Sequence, residues 1–215
     1  MRKSVRLKGV AAMSKKESNN QSCTLPKRVL FFATGNIHKF NEAREILSHY
    51  HISVGMLRVK GDEIQSESLE EIAETAVANA FKQTGLPIFV EDAGLFIKAL
   101  KGFPGPYAAY TYKTIHNSGI IKLMENIDDR TAKFQSVIAY YDHAMRQPLC
   151  FYGESRGIIT KVERWQQGKS GFGFDPIFQP SGSSKTFAEM TIEEKNDYSH
   201  RAMAIKKLAE WYRKK

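Results

Sequence analysis

RVLFFAT (28–34) is a short apolar run that breaks at TGN and is followed by HKFNEAREILSHY (38–50). In the second stretch Phe40, Ala43, Ile46 and Leu47 fall on one face at helical spacing. A buried strand, a polar turn and an amphipathic helix make the first half of an α/β unit, which sets the fold class. SLEEIAETAVANAFKQTG (68–85) is the clearest helix, with Leu69, Ile72, Ala73, Ala76, Val77 and Ala80 sharing a face. Ser68 suits its N-cap and Gly85 its end. LPIFVEDAGLFI (86–97) reads as a strand, buried until it reaches Glu91 and Asp92. GFPGPY (102–107) reads as a loop and HNSGIIKLMENI (116–127) as a helix. TAKFQSVIAYYD (131–142) and PLCFYGESRGIIT (148–160) read as paired strands, and SHRAMAIKKLAEWYRKK (199–215) as the last helix. Without an internal repeat or linker, residues 28–215 are expected to form one unit with two lobes.

The chain has 215 residues, 42% of them hydrophobic, enough for a sizeable core. Its two cysteines, Cys23 and Cys150, make no disulfide framework and fit a reducing compartment. No apolar run approaches the roughly 18–20 residues of a membrane span, so a soluble protein without a membrane partner, located in the cytoplasm, is expected. The net charge of +9 is unevenly spread. Residues 1–28 hold eight Lys or Arg against the single acid Glu17, and the rest holds 24 basic against 22 acidic residues. The basicity thus belongs to a polar tail, 1–27, expected to be disordered. Scarce acids there admit a targeting presequence, which its lysine-rich second half fits poorly. The body has no basic stripe and no nucleic-acid reader motif, so nucleic acid is not its expected partner.

Five stretches carry candidate chemistry. In TGNIHK (34–39), backbone N–H groups at a helix start attract an anion, Thr34 and Asn36 can donate hydrogen bonds, and Lys39 can reach a phosphate. The plainer alternative is a turn with Asn36 as N-cap. In VEDAGL (90–95), Glu91 and Asp92 stand where an α/β strand delivers ligands, and a carboxylate there can hold Mg²⁺ or take a proton from water. In GDEIQSESLEEIAE (61–74), most acids suit a solvated helix face, whereas Glu63 lies before the helix and is free to point elsewhere. In EKNDYSHR (194–201), Lys195, His200 and Arg201 put cations at a helix start, where they oppose the dipole unless an anion compensates. GFGFDPIF (171–178) alternates Gly171 and Gly173 with Phe172 and Phe174, then sets Asp175 before Pro176, which holds the acid extended. The chain has no GxxxxGK[ST] phosphate loop, no HExxH or Cys/His zinc pattern and no GxSxG nucleophile elbow.

In this order, TGN..K, VEDAGL, GFPGPY, GFGFDPIF and EKN..SHR resemble the Ham1/inosine triphosphate pyrophosphatase family over most of residues 28–215. The resemblance implies an elongated mixed β-sheet with flanking helices and two lobes around a central nucleotide cleft, in a homodimer. It implies conversion of ITP, dITP or XTP to the monophosphate and pyrophosphate with Mg²⁺, making 28–215 a nucleoside triphosphate pyrophosphatase domain. Carried to this sequence, Thr34, Gly35, Asn36 and Lys39 would bind the triphosphate, with Lys195 contacting phosphate. Glu63 and Asp92 would hold the metal. Asp92 would be the catalytic carboxylate, with Glu91 beside it. Phe172 would stack on the base, Gly173, Phe174 and Asp175 would shape its pocket, and His200 and Arg201 would read the 6-oxo edge. Many members have DDSGL where this chain has EDAGL, so residue 93 offers phosphate only a backbone N–H. Many have Trp or Tyr where Phe174 stands.

Selectivity would follow from edge chemistry. Hypoxanthine and xanthine present an acceptor at C6, whereas adenine presents an amino donor, which donors from His200 or Arg201 reject. Water would attack the α-phosphorus, with Lys39 and Lys195 offsetting the charge on the leaving pyrophosphate. Two other readings fit parts of the chain: a pyrophosphatase for other modified nucleotides, and a non-catalytic nucleotide- or RNA-binding module using the basic tail.

Overall fold

The first strand–turn–helix forms where the spacing predicts it, as β1 (Val29–Ala33) and α1 (Ile37–His49). The computed structural model describes residues 29–59, 61, 64–166 and 171–215. The tail expected over 1–27 and the metal ligand expected at Glu63 lie outside the described residues. After α1 come β2 (Ser53–Leu57), α2 (Leu69–Thr84) and β3 (Ile88–Ile97). Ser68 caps α2 by accepting from the Glu71 N–H, and Gly85 ends it at φ 62°, as expected from their positions. Then follow β4 (Pro104–Gly105), α3 (Ala108–Leu123), β5 (Thr131–Tyr141) and β6 (Leu149–Ile159). The chain closes with β7 (Phe178–Pro180), α4 (Ile192–Tyr198) and α5 (His200–Lys214).

The strands form one seven-stranded mixed sheet ordered β2-β1-β3-β5-β6-β7, with β4 on β3. β1 is parallel to β2 and β3, and the remaining pairs are antiparallel. Three expectations need correction. The strand runs to Ile97 as expected, with β5 pairing its whole length, but burial does not stop at the acids: Glu91 is itself buried, as are Leu95 and Ile97 beyond it. The helix expected over 116–127 is the second half of α3, which starts at Ala108 and bends at His116 (φ 56°, ψ −167°). Asp175 opens a 3₁₀ turn, 175–177, instead of extended backbone.

Side-chain alternation gives each long strand two faces. On one, α2 covers Ile88 and Val90 of β3 with Val137 and Ala139 of β5. The other face carries two separate cores. Phe89, Ile138, Tyr140 and Phe151 lie under α1 and α5 at one end. Leu95, Ile97, Phe134 and Ile159 join Phe174, Phe178 and Phe187 at the other. Between these two cores the same face carries Glu91, Ala93, Ser136, Gly153 and Ser155, small or polar residues in the middle of an otherwise apolar surface. The two cores are separated there. No helix among the described residues is long and apolar enough to cross a membrane.

Candidate active site

β1 pairs with β3 only at Ile88 and Phe89, and β4 pairs with it only at Leu95 and Phe96. Between them, on the side away from β5, residues 90–94 face no described strand. Pro87 O accepts the Phe31 N–H, Glu91 O accepts from Lys39 Nζ, and the Ile97 N–H donates to Phe103 O. Odd-numbered residues therefore turn their backbone groups to this side, and alternation sends the N–H groups of Glu91 and Ala93 into the gap. A strand edge that faces no described strand, beside the turn after β1, is where an α/β sheet can receive a ligand.

The turn after β1 forms one wall of the gap. Thr34 Oγ1 accepts the Asn36 N–H at 3.1 Å, and Asn36 Oδ1 accepts the N–H groups of His38 (2.9 Å) and Lys39 (3.3 Å). Asn36 is thus the N-cap of α1, and the plainer reading of TGN describes its local role. The cap also fixes the first turn of α1, from which Lys39 reaches Glu91, 2.8 Å from Oε2.

Behind the edge lies a buried lattice of charges. Glu91 Oε1 accepts from Ser136 Oγ (2.8 Å) and Arg201 Nε (3.1 Å). Arg201 Nη1 also donates to Glu42 Oε2 at 2.5 Å. Glu42 Oε1 accepts from Lys195 Nζ (2.9 Å), which also donates to Asp175 Oδ2 (2.8 Å). Lys195, expected at the start of the last helix, instead lies inside α4, and Arg201 alone is a cation in the first turn of α5; both are compensated by carboxylates of the chain itself. Gly153 lets α5 approach closely enough to place Arg201, since a Cβ there would lie 1.9 Å from His200 O.

Electrostatics fix the ionised state of this lattice. Burial pushes the Glu91 carboxyl up, but Arg201 and Lys39 outweigh it and hold it well below the usual carboxylate range. Burial likewise opposes ionisation of Glu42, yet Arg201 and Lys195 lower it to about 2. Lys195 is pulled down by burial and raised overall by Asp175 and Glu42. His200 is pushed well below its ordinary value by burial and by Arg201, so it is neutral near pH 7. Its ring stacks on Phe134 (4.6 Å, 9°), and its buried Nδ1 has no hydrogen-bond partner.

The aromatic stretch divides. Phe172 lies at the cleft with its N–H on Asp175 Oδ2 (2.9 Å) and its ring 5.0 Å from Lys195 Nζ and 5.2 Å from Arg201 Cζ. Gly173 turns the chain at φ 61°, which sends Phe174 into the distal core, edge-on to Tyr112. Phe174 thus stands behind the pocket wall, while Phe172 is the ring at the cleft.

Asp92 is half-buried on the α2 face, opposite Val137 in register, while Glu91 and Ala93 point to the other face. The structure thus gathers Lys39, Asp175, Lys195, His200, Arg201 and Phe172 on one side of β3 and sets Asp92 on the other side of the same edge. Two residues of the lattice escaped the sequence reading. Glu42 had a signal: it lies three residues after Lys39 and four before Ile46, on the buried side of α1. Ser136 stands between Phe134 and Ile138 on the inward face of β5.

The lattice sets Lys39, its most exposed cation, and the Phe172 ring beside the β3 edge, groups that suit a phosphate and a flat base. Residues 30–211 match the Ham1 family. The chain is 49% identical over 184 residues to a dITP/XTP pyrophosphatase of Methanopyrus kandleri, covering 86% of this chain and 96% of that protein. It is 46% identical over 182 residues to the dITP/XTP pyrophosphatase of Thermococcus kodakarensis, covering 85% and 96%. A solved HAM1 protein from Coxiella burnetii superposes with a TM-score of 0.75 at 29% identity, over 87% of this chain and all of that one (100%). By this match over nearly all of the described residues, the chain belongs to the Ham1 family.

Proposed function

We propose that this protein hydrolyses ITP, dITP and XTP to the monophosphate and pyrophosphate. The observation that carries the reading is the buried charge lattice: three cations, Lys39, Lys195 and Arg201, held on Glu42, Glu91 and Asp175 beside an aromatic ring at an open strand edge.

The triphosphate lies against the Thr34–Lys39 turn, with the N–H of Ala93 at the strand edge as a further donor. Gly35 is exposed, and a side chain there would meet nothing within 4 Å, so its backbone is open to approach. Lys39 is the least enclosed cation of the lattice and exchanges Glu91 for phosphate. Lys195 stays on Glu42 and Asp175 and presents a fixed positive charge to the leaving pyrophosphate. Asp92 orients the attacking water and takes its proton. Arg201, held by two carboxylates, and the neutral His200 present donors to the 6-oxo edge, while Phe172 provides a stacking face and Asp175 fixes its backbone. A purine carrying a 6-amino group leaves those donors unpaired.

As it stands the lattice pairs three cations with three carboxylates, so it has no surplus positive charge for a triphosphate. A divalent cation fits that deficit. Glu91 Oε2 is buried and is held by the ion pair with Lys39 alone, so the exchange of Lys39 onto phosphate releases a hard oxygen donor at the gap. With Asp92 at the same edge, and Glu63 by the family resemblance, the donor set is the all-oxygen kind that Mg²⁺ takes. When bound, Mg²⁺ supplies charge neutralisation to the phosphate oxygens. The same resemblance extends the proposal to a cytoplasmic homodimer.

The test is to incubate the purified protein with Mg²⁺ and, separately, ITP, XTP, GTP and ATP, and to identify the products. Monophosphate and pyrophosphate from ITP and XTP, with ATP nearly untouched, is the expected result. Orthophosphate release, equal use of ATP, or binding without turnover would overturn it.

A further inference from the structure

His38 is the second residue of α1, and its ring stacks on that of Phe172 with centroids 5.4 Å apart and planes at 15°. The two rings come from distant parts of the chain. Phe172 belongs to the fixed side: its N–H is held by Asp175, and Lys195 and Arg201 flank its ring. His38 belongs to the solvent side. Its backbone N–H is tied to Asn36 Oδ1, but its side chain is exposed and among the described hydrogen bonds makes none. The pair lies between the turn that meets the triphosphate and the donors that meet the base edge.

We infer that His38 is a base-stacking residue, and that the purine of the substrate binds between the His38 and Phe172 rings. This rests on the reading above that the base lies against Phe172. Stacking geometry supports it. Two nearly parallel rings need only part by about the thickness of one aromatic ring, roughly 3.5 Å, to admit a third. Phe172 is anchored, so His38 makes that movement by turning its exposed side chain. The exchange replaces one imidazole–phenyl contact with two contacts to a larger purine face. The ligand class is a purine nucleotide, and the contact is indifferent to the base edge. It adds affinity for the ring and leaves selectivity to His200 and Arg201.

The experiment compares wild type, His38→Ala, His38→Phe and Phe172→Ala by the KM for ITP and by inhibition with tripolyphosphate, which has phosphates and no base. For His38→Ala the KM should rise roughly five- to tenfold, the lower end of base–aromatic stacking. Tripolyphosphate inhibition should stay unchanged, and His38→Phe should restore the KM. A KM that falls in His38→Ala and rises in His38→Phe would mean that the imidazole competes with the base, and would overturn the inference. An unchanged KM in His38→Ala, with a raised one in Phe172→Ala, would overturn it and leave the base on Phe172. An unchanged KM in Phe172→Ala would overturn the underlying placement of the base.

Discussion

Glu91 and Asp92 are adjacent in the chain and point to opposite faces of one strand, Glu91 into a buried lattice with Arg201 and Lys39, Asp92 toward the α2 side. The two acids therefore have separable tasks. Asp92→Asn should abolish most turnover while the thermal melt stays close to wild type. Glu91→Gln should unfold earlier, because it strips charge from the centre of the lattice and leaves two cations underpaired. Losing one partner of a buried ion pair costs about 3–5 kcal/mol. Calorimetry and ITP turnover on the two variants test this; a stable Glu91→Gln with a fragile Asp92→Asn would reverse the assignment.

Stability should fall in two stages as the solution is acidified. His200 is depressed below its ordinary 6.5 in the folded protein, so the unfolded chain binds its proton first and stability declines as pH drops below about 6.5. Glu42 is lowered from 4.5 to about 2, and Glu91 is lowered too, so their contribution is complete above 4.5 and is lost on the way down to about pH 2. Lys195 is raised above 10.5, so its contribution is present below that value and is lost only as pH climbs past it. Melting temperatures from pH 4 to 8 should show the first decline in wild type. His200→Phe, which keeps the ring against Phe134, should lack it.

His116 stands at φ 56°, ψ −167°, a region that glycine occupies and other residues enter only under strain, inside the bend of α3. His116→Gly should stabilise the protein by about 1 kcal/mol, the low end of that strain, after the loss of the edge contact to Tyr112. For a chain of this size the melting temperature should rise about 2–4 °C. A lower melting temperature would show that the ring contact outweighs the backbone term.

Gly153 is where α5 rests on β6, and an added Cβ would meet His200 O at 1.9 Å and Ala204 N at 2.9 Å. Gly153→Ala must push the start of α5 outward and take Arg201 away from Glu91 and Glu42. Overpacking of this kind costs about 1–3 kcal/mol. We expect a lower melting temperature together with weaker discrimination of ITP from ATP, measured as the ratio of kcat/KM. Loss of stability with unchanged discrimination would show that Arg201 keeps its place when the helix moves.

Local signals were legible from residues alone. Asn36, Ser68 and Ser199 cap helices because each places a side-chain oxygen before an amphipathic run, and Gly85 ends one because only its backbone turns left-handed at little cost. The order of TGN..K, VEDAGL, GFPGPY, GFGFDPIF and EKN..SHR carried the family resemblance, and the cations Lys195 and Arg201 of the last of these demanded an anion. What answered them was decided by tertiary structure. Arg201 meets Glu91 across 110 residues and Glu42 across 159, and no local periodicity marks a carboxylate as buried when its partner is that distant. The expected loss of burial at Glu91 follows from the cost of burying an unpaired acid. Burial continues because β5 pairs with the strand on one side, and because Arg201 and Lys39 neutralise the charge from above. Sequence alone marked the long strands, the two clearest helices with their caps, and the chemical groups present, but not the short elements β2, β4, β7 and α4. Only the packing of α5 onto Gly153, and the gap left between β1 and β4, decided which groups face one another, since burial and pairing are properties of neighbours brought together by the fold.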